Sequence, residues 1–225
     1  PLNGNEFGYT RQIEVIGDDV WFTTSLGHIY HSTDRGLNWS VYQSPIADFG
    51  GAITTTMSGN LSFASTTDGL IVDANSVVYK STDGGANWST LTTTGTVLTS
   101  GLCYVEGTNT AFTTGLGSSF SQDGGLTWNI IDTEQHIYVE FSNLSIGWSG
   151  WFNDPANAAQ DGMWKWNNTS GALTCDFQGT PNTVCTGTTV QFTDLSFGAT
   201  PTSWSWLFPG GTPSSSPAQT PSVTY

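Results

Sequence analysis

The sequence predicts an all-β fold, with radial four-stranded sheets followed by part of a β-sandwich, and three observations predict it. An eight-residue pattern recurs three times at a spacing that suits one four-stranded unit. Alternating apolar and polar residues, the period of a half-buried strand, flank each copy. The composition is rich in turn formers and rings, with 27 Gly, 9 Pro and 13% aromatics. No 3.6-residue periodicity is present, which excludes helical solenoids.

The three copies are Ser32-Thr33-Asp34-Arg35-Gly36-Leu37-Asn38-Trp39, Ser81-Thr82-Asp83-Gly84-Gly85-Ala86-Asn87-Trp88 and Ser121-Gln122-Asp123-Gly124-Gly125-Leu126-Thr127-Trp128. Each reads Ser-x-Asp-x-Gly-x-x-Trp. That octet is a hairpin turn in chemical terms: the Asp carboxylate accepts turn amides, the Gly takes positive φ without a Cβ clash, and the Trp anchors the returning strand. His28–His31, Val77–Lys80 and Ser118–Phe120 supply the strand before each turn, and Trp39–Tyr42, Trp88–Leu91 and Trp128–Ile131 the strand after it.

Asp34, Asp83 and Asp123 are 49 and 40 residues apart, about one blade of a β-propeller, so two further strands fit ahead of each hairpin. In the second unit the expected strands are Ala52–Met57, Leu61–Thr66, Val77–Ser81 and Asn87–Thr92. A fourth unit without an octet follows at Tyr138–Ser142, Ser145–Ser149 and Gly162–Trp166. About four blades are therefore visible. Either they close by themselves or they continue a ring begun upstream of Pro1.

The octet is the signature of Asp-box (BNR) repeats, and residues 10–168 resemble the Asp-box β-propellers of sialidases, sortilin-like proteins and many secreted bacterial proteins. The resemblance implies that Ser32, Asp34, Gly36 and Trp39, with Ser81, Asp83, Gly85, Trp88, Ser121, Asp123, Gly125 and Trp128, are structural. It also implies that these turns lie away from the ligand face. Sialidases grip a substrate carboxylate with three arginines; only Arg11 and Arg35 exist here, and Arg35 is inside an octet, so sialidase activity is disfavoured.

The division is expected near residue 170: a propeller over 1–170 and a second module over 171–225. Beyond it the composition turns to Ser, Thr, Pro and Gly, and Val190-Gln191-Phe192-Thr193-Asp194 and Trp204-Ser205-Trp206-Leu207-Phe208 alternate as sandwich strands. Val190, Phe192, one of Trp204 and Trp206, and Phe208 are directed to its core. This stretch resembles a PKD domain, an immunoglobulin-like β-sandwich, through Val-x-Phe-Thr-Asp-x-Ser, Trp-x-Trp-x-Phe and Pro221-Ser222-Val223-Thr224-Tyr225. It departs from the family in having Pro209-Gly210-Gly211 where Gly-Asp-Gly is common, which removes an acidic turn, and in lacking the strands that normally follow. Unpaired sandwich edges would result. The combination resembles large surface proteins of Bacteroidota-type bacteria.

Four basic against 18 acidic residues give a net charge of −14, which excludes nucleic acid and anionic membrane faces as partners. No apolar run approaches the roughly 18 residues of a membrane span, so no membrane insertion is expected. The start at Pro1, without an initiator Met or a secretory leader, reads as a piece of a longer, processed protein. Cys175 and Cys185, ten residues apart around a polar stretch, are expected to close a short disulfide loop, whereas Cys103 reads as a buried thiol. His28 and His31 face opposite sides of one strand and make a poor metal pair. No cofactor is expected, and structural calcium is left open.

The loop carboxylates best placed for a ligand are Asp68 and Asp73, in the Thr67–Ser76 connection, and Asp154 and Asp161, after Trp151. Both connections are expected at the end opposite the octets. Trp148, Trp151 and Phe152 beside these acids are what a sugar-stacking surface uses, unless the two tryptophans pack between blades. The leading expectation is a noncatalytic, secreted or cell-surface binding module of a larger protein, in which the propeller meets a glycan or protein ligand and the sandwich is a spacer to adjoining domains. The alternatives are a fragment of a secreted glycan-active hydrolase and a self-associating subunit of a surface fibre.

Overall fold

Every regular element among the described residues is a β-strand. The computed structural model describes residues 5–50, 58–151, 162–166, 175–196 and 201–225. They fall into two units, Pro1–Lys165 and Trp166–Tyr225.

In the first unit, β1 (Gly8–Ile16), β2 (Asp19–Thr24), β3 (His28–Ser32) and β4 (Ser40–Gln43) make an antiparallel sheet in chain order. The second sheet repeats this order with β5 (Gly59–Phe63), β6 (Gly69–Asp73), β7 (Val78–Ser81) and β8 (Ser89–Thr90). The third has β9 (Thr94–Gly95), β10 (Gly101–Tyr104), β11 (Ala111–Ser121) and β12 (Thr127–Gln135) in the order β10-β11-β12-β9, with β9 parallel to β12. The fourth comprises β13 (Tyr138–Asn143), β14 (Ile146–Gly150) and β15 (Met163–Lys165).

The first strands of successive sheets lie against one another, β1 on β5, β5 on β10 and β10 on β13. Sheets stacked face to face with their first strands innermost are a propeller-like arrangement. Each sheet therefore has a leading face toward the sheet before it and a trailing face toward the sheet after it. Between the first and second sheets, trailing Tyr9, Trp21 and Ile29 are buried with leading Leu61, Phe63 and Ile71. Between the second and third, trailing Leu70, Val72 and Val78 are buried with leading Leu102, Ala111 and Trp128. The third and fourth meet through Phe112 and Phe141, stacked with centroids 3.9 Å apart. This burial between faces is the main apolar stabilisation of the unit.

Two strands depart from the expected positions. Gly69–Asp73 was expected within a connection and is strand β6, because Gly-Leu-Ile-Val is buried against sheets on both sides and shows no alternation. Leu61–Thr66 accordingly supplies the first strand of its sheet rather than the second, and Ala52–Met57 lies outside the described residues. The third sheet folds β11 back at Gly115-Leu116-Gly117, where Gly117 takes φ 116°. Thr113 Oγ1 and Ser119 Oγ thereby meet at 2.7 Å, whereas six extended residues would hold them about 20 Å apart. One strand thus does the work of two.

In the second unit, β16 (Phe177–Thr180), β17 (Thr189–Asp194), β18 (Trp206–Leu207), β19 (Ser215–Ser216) and β20 (Ser222–Thr224) form a β16-β17-β20 sheet and a β18-β19 pair. Val190, Phe208 and Val223 are buried, and Phe192 and Trp206 pack on Phe208. The expected disulfide is not formed: Cys175 and Cys185 are both free and exposed. Extended β16 runs between them, so residues ten apart in sequence sit near opposite ends of the β16–β17 pair rather than facing across a loop. Cys103 is a buried free thiol, as expected.

Candidate functional site

The octets fold alike. In each, the Ser hydroxyl donates to the Asp carboxylate at 2.8–2.9 Å and accepts the Gly amide (Gly36, Gly85, Gly125) at 2.8–3.0 Å. The same carboxylate accepts the amide of Asn38, Asn87 or Thr127, and each Trp indole donates to the octet Gly carbonyl at 2.9 Å. Side-chain and backbone donation from Asn38 and Asn87 holds Asp34 and Asp83 below the usual carboxylate range. Burial pulls Asp123 upward, but the Thr127 amide and the Ser121 hydroxyl outweigh it, and its pKa is lowered as well. These carboxylates are consumed by their turns.

Asp68 and Asp73 are turn caps as well, and β6 separates them. Asp68 accepts the hydroxyls of Ser65 and Thr67 at 3.0 and 2.9 Å, while Asp73 accepts the amides of Asn75 and Val77 at 2.8 Å. Five strand residues put them about 17 Å apart. The Gly84 amide of the second octet donates to the Thr67 carbonyl, so Asp68 shares the octet end, contrary to expectation, and Asp73 alone lies at the opposite end. Phe152, Asp154 and Asp161 lie outside the described residues, and Trp151, half-buried, donates its amide to the Gly162 carbonyl.

Trp148 is the expected ligand residue that the structure places on an open surface. It lies on the trailing face of the fourth sheet, 42% exposed, because β14 alternates Ile146 and Trp148 outward with Gly147 inward. Its cross-strand neighbours are Glu140 and Lys165, and the Lys165 ammonium stands 5.7 Å from the indole centroid. The Tyr138 hydroxyl donates to Glu140 at 3.0 Å. An aromatic plate between a carboxylate and an ammonium, with exposed Met163 and Ile146 beside it, suits a ligand with one flat apolar side and polar edges.

Glu140 also links this face to a residue that the sequence reading passed over. Glu14, on innermost β1, is pushed up to about 8 by burial and by the charge of Glu140, even though the Ser62 hydroxyl and the Phe63 backbone hydrogen-bond to it. Burial likewise raises Glu140, against the Tyr138 hydroxyl, and raises Tyr138. A carboxyl held protonated at neutral pH beside a second carboxylate can donate a proton. Its one sequence signal is a carboxylate amid the alternation of Ile13, Val15 and Ile16, too weak to read without the neighbouring sheets.

The histidines are occupied: His28 Nδ1 meets Glu6 at 2.7 Å, His31 Nε2 meets Asp19 at 2.7 Å, and His136 pairs with Asp132 and Ser149. No group of three metal-ligating side chains occurs among the described residues. The second unit contains a cavity of about 440 Å³ lined by Phe177, Phe192, Trp204, Trp206, Asp176 and Asp194, among others. The Trp204 indole donates to Asp194 there at 2.6 Å.

No protein-family model and no curated protein sequence matches the chain. Solved structures resemble it distantly. One is described as YCF48 bound to D1 peptide, at 17% identity and TM-score 0.44, covering 83% of this chain and 61% of that one. Another is YCF48 from Cyanidioschyzon merolae, at 16% identity and TM-score 0.45, covering 86% of this chain and 68% of that one. A third is the GH74 enzyme of Niastella koreensis, at 19% identity and TM-score 0.44, covering 81% of this chain and 27% of that one. This chain thus spans about three fifths of the length of the first. The fold assignment rests on the sheet order and packing described above.

Proposed function

We propose that the chain is a noncatalytic binding and spacer module of a larger, secreted or cell-surface bacterial protein. In this reading the octets are Asp-box repeats of a β-propeller, the second unit is a PKD-like spacer, and the propeller takes a glycan or protein ligand. The carrying observation is Trp148, 42% exposed between Glu140 and Lys165 on the fourth sheet. Ring stacking with polar groups on either side is how a sugar face or a peptide aromatic is held. A glycan array followed by calorimetry tests the reading. Trp148→Ala should weaken the best ligand at least about fivefold with the fold intact, since truncating a central aromatic anchor costs more than about 1 kcal/mol; unchanged binding overturns it.

The Glu14 and Glu140 pair supports a second reading, a fragment of a glycan-active hydrolase in which Glu14 is the general acid. It moves the candidate acids from the loops to the innermost strands. Hydrolysis of a β-glycan panel, lost in Glu14→Gln, would support it. Inactivity of the native chain across the panel excludes it for this chain.

A further inference from the structure

The leading face of the first sheet carries an apolar row that matches the one the second sheet uses to pack, yet nothing among the described residues covers it. In the second sheet the cross-strand row is Leu61, Ile71 and Tyr79, with Tyr79 four residues before the octet Asp. Leu61 and Ile71 are buried against the first sheet, and Tyr79 and Trp88 pack on the same cluster. In the first sheet the matching row is Ile13, Phe22 and Tyr30, with Tyr30 four residues before Asp34 and Trp39 at the octet end. Ile13 is 58% exposed where Leu61 is 5% exposed, and Trp39 is 39% exposed where Trp128 is 2% exposed. Phe22 stacks on Tyr30 and meets Trp39 edge-on, walling a cleft of about 350 Å³ with Phe7, Thr24 and Glu6. The row is built to be covered.

Both interior precedents show what covers such a row: the trailing face of another sheet. The fourth sheet has an uncovered trailing face, with Tyr138, Ile146, Trp148 and Met163 exposed. Its exposed residues are mostly apolar, as are the trailing residues that cover the matching row in the interior, and the Glu6 carboxylate at the edge of the first sheet's cleft is already paired with His28 at 2.7 Å, so no unpaired charge opposes the contact there. We propose that the open face of the first sheet is a docking surface for the fourth sheet of a second copy of the chain, in a head-to-tail contact that repeats the packing between neighbouring sheets. The proposal rests on the reading of the fourth sheet as a binding face and names its partner. Such a contact is heterologous, so it propagates rather than closing at two copies. Copies with a net charge of −14 repel, so association strengthens as salt rises.

Sedimentation velocity of the native chain from about 1 to 500 µM reads the contact in the range where weak interfaces populate. Two variants alter exposed positions alone: Ile13→Ser with Val15→Ser on the first sheet, and Trp148→Ser with Met163→Ser on the fourth. The native chain should form concentration-dependent oligomers, each variant should stay monomeric, and the two variants mixed should form a one-to-one dimer and nothing larger, because the mixture retains one intact face of each kind. A native chain that is monomeric throughout, or oligomers that survive either variant, overturn the proposal. If the native chain is monomeric and still binds a glycan through Trp148, the docking fails and the proposed function stands. If association needs both faces and no array ligand is found, the docking stands and the glycan reading fails.

Discussion

The first and third octets share the Ser–Asp, Ser–Gly, Asp–amide and indole–carbonyl hydrogen bonds and meet different surroundings. Ser32, Asp34 and Gly36 reproduce the distances of Ser121, Asp123 and Gly125 to within a few tenths of an ångström, and both indoles donate to the glycine carbonyl at 2.9 Å. Trp128 is nevertheless buried against Leu70, Val72 and Val78 of the preceding sheet, while Trp39 packs on Phe22 of its own sheet and stays 39% exposed. The turn is a local product of eight residues, and the burial of its tryptophan is a property of the neighbour. The same octet is therefore a cheap hairpin staple in one place and a core anchor in another.

The largest effect separates the two tryptophans. Trp128→Ala should destabilise the first unit by about 3–5 kcal/mol, through lost burial and the cavity left behind, whereas Trp39→Ala should cost about 1 kcal/mol or less, because its ring keeps water contact in the folded state. Urea unfolding of the two variants measures the gap, and equal losses would show that the first sheet is covered in solution. The serine beneath the turn should break the contrast. Ser32, Ser81 and Ser121 are all buried, so each Ser→Ala change strands a glycine amide and should cost a similar amount, about 1–2 kcal/mol.

Stability against pH separates the turns from the innermost strands. The octet aspartates have lowered pKa values in the fold, so their contribution is present above the unfolded value of about 4 and is lost as the pH falls through the lowered folded values. Glu14 works the other way. Its folded pKa is about 8 against an ordinary 4.5, so its contribution is fully present below the ordinary value and is lost as the pH rises toward 8. Melting temperatures from pH 3 to 9 should fall at both ends, and Glu14→Gln should flatten the alkaline decline and leave the acid one.

The smallest effect concerns the residue after the octet Asp. Gly84 and Gly124 hold φ of 72° and 71° there, and Arg35 holds 59°. Arg35→Gly removes the cost of a left-handed non-glycine residue but adds chain entropy and loses an exposed ion pair to Asp18 at 2.7 Å. The net change should stay within about 0.5 kcal/mol. Gly84→Ala is the unequal counterpart, since its Cβ would stand 3.0 Å from the Thr66 carbonyl and 3.1 Å from the His31 ring. It should destabilise by about 1–2 kcal/mol in the same assay.

What could be read in the chain follows the same division between local and neighbouring causes. The octets were legible because Asp, Gly and Trp at fixed offsets act within eight residues, and the strands of the fourth sheet because one open face preserves the alternation of Tyr138, Ile146 and Trp148. β6 was not legible, since burial on both faces erases the period-two signal and made Asp68 and Asp73 look like loop residues. The fold in β11 is carried by Gly115 and Gly117, which read as ordinary strand interruptions. Of the candidate site, Trp148 was found from its type and place, whereas its partners Glu140 and Lys165 depend on strand register. Glu14 depends on burial by the fold and on a carboxylate three sheets along the chain. Cys175 and Cys185 show the converse error, because closeness in sequence says little once an extended strand lies between two residues.

The most direct test of the account is oxidative footprinting of the native chain at low micromolar concentration, with the modification rate of each tryptophan read by mass spectrometry. Trp39 and Trp148 should react quickly, and Trp128 and Trp21, which is fully buried, should react only as the unit unfolds. Similar rates at Trp39 and Trp128 would contradict the claim that equal octets sit on an open sheet in one place and between sheets in the other.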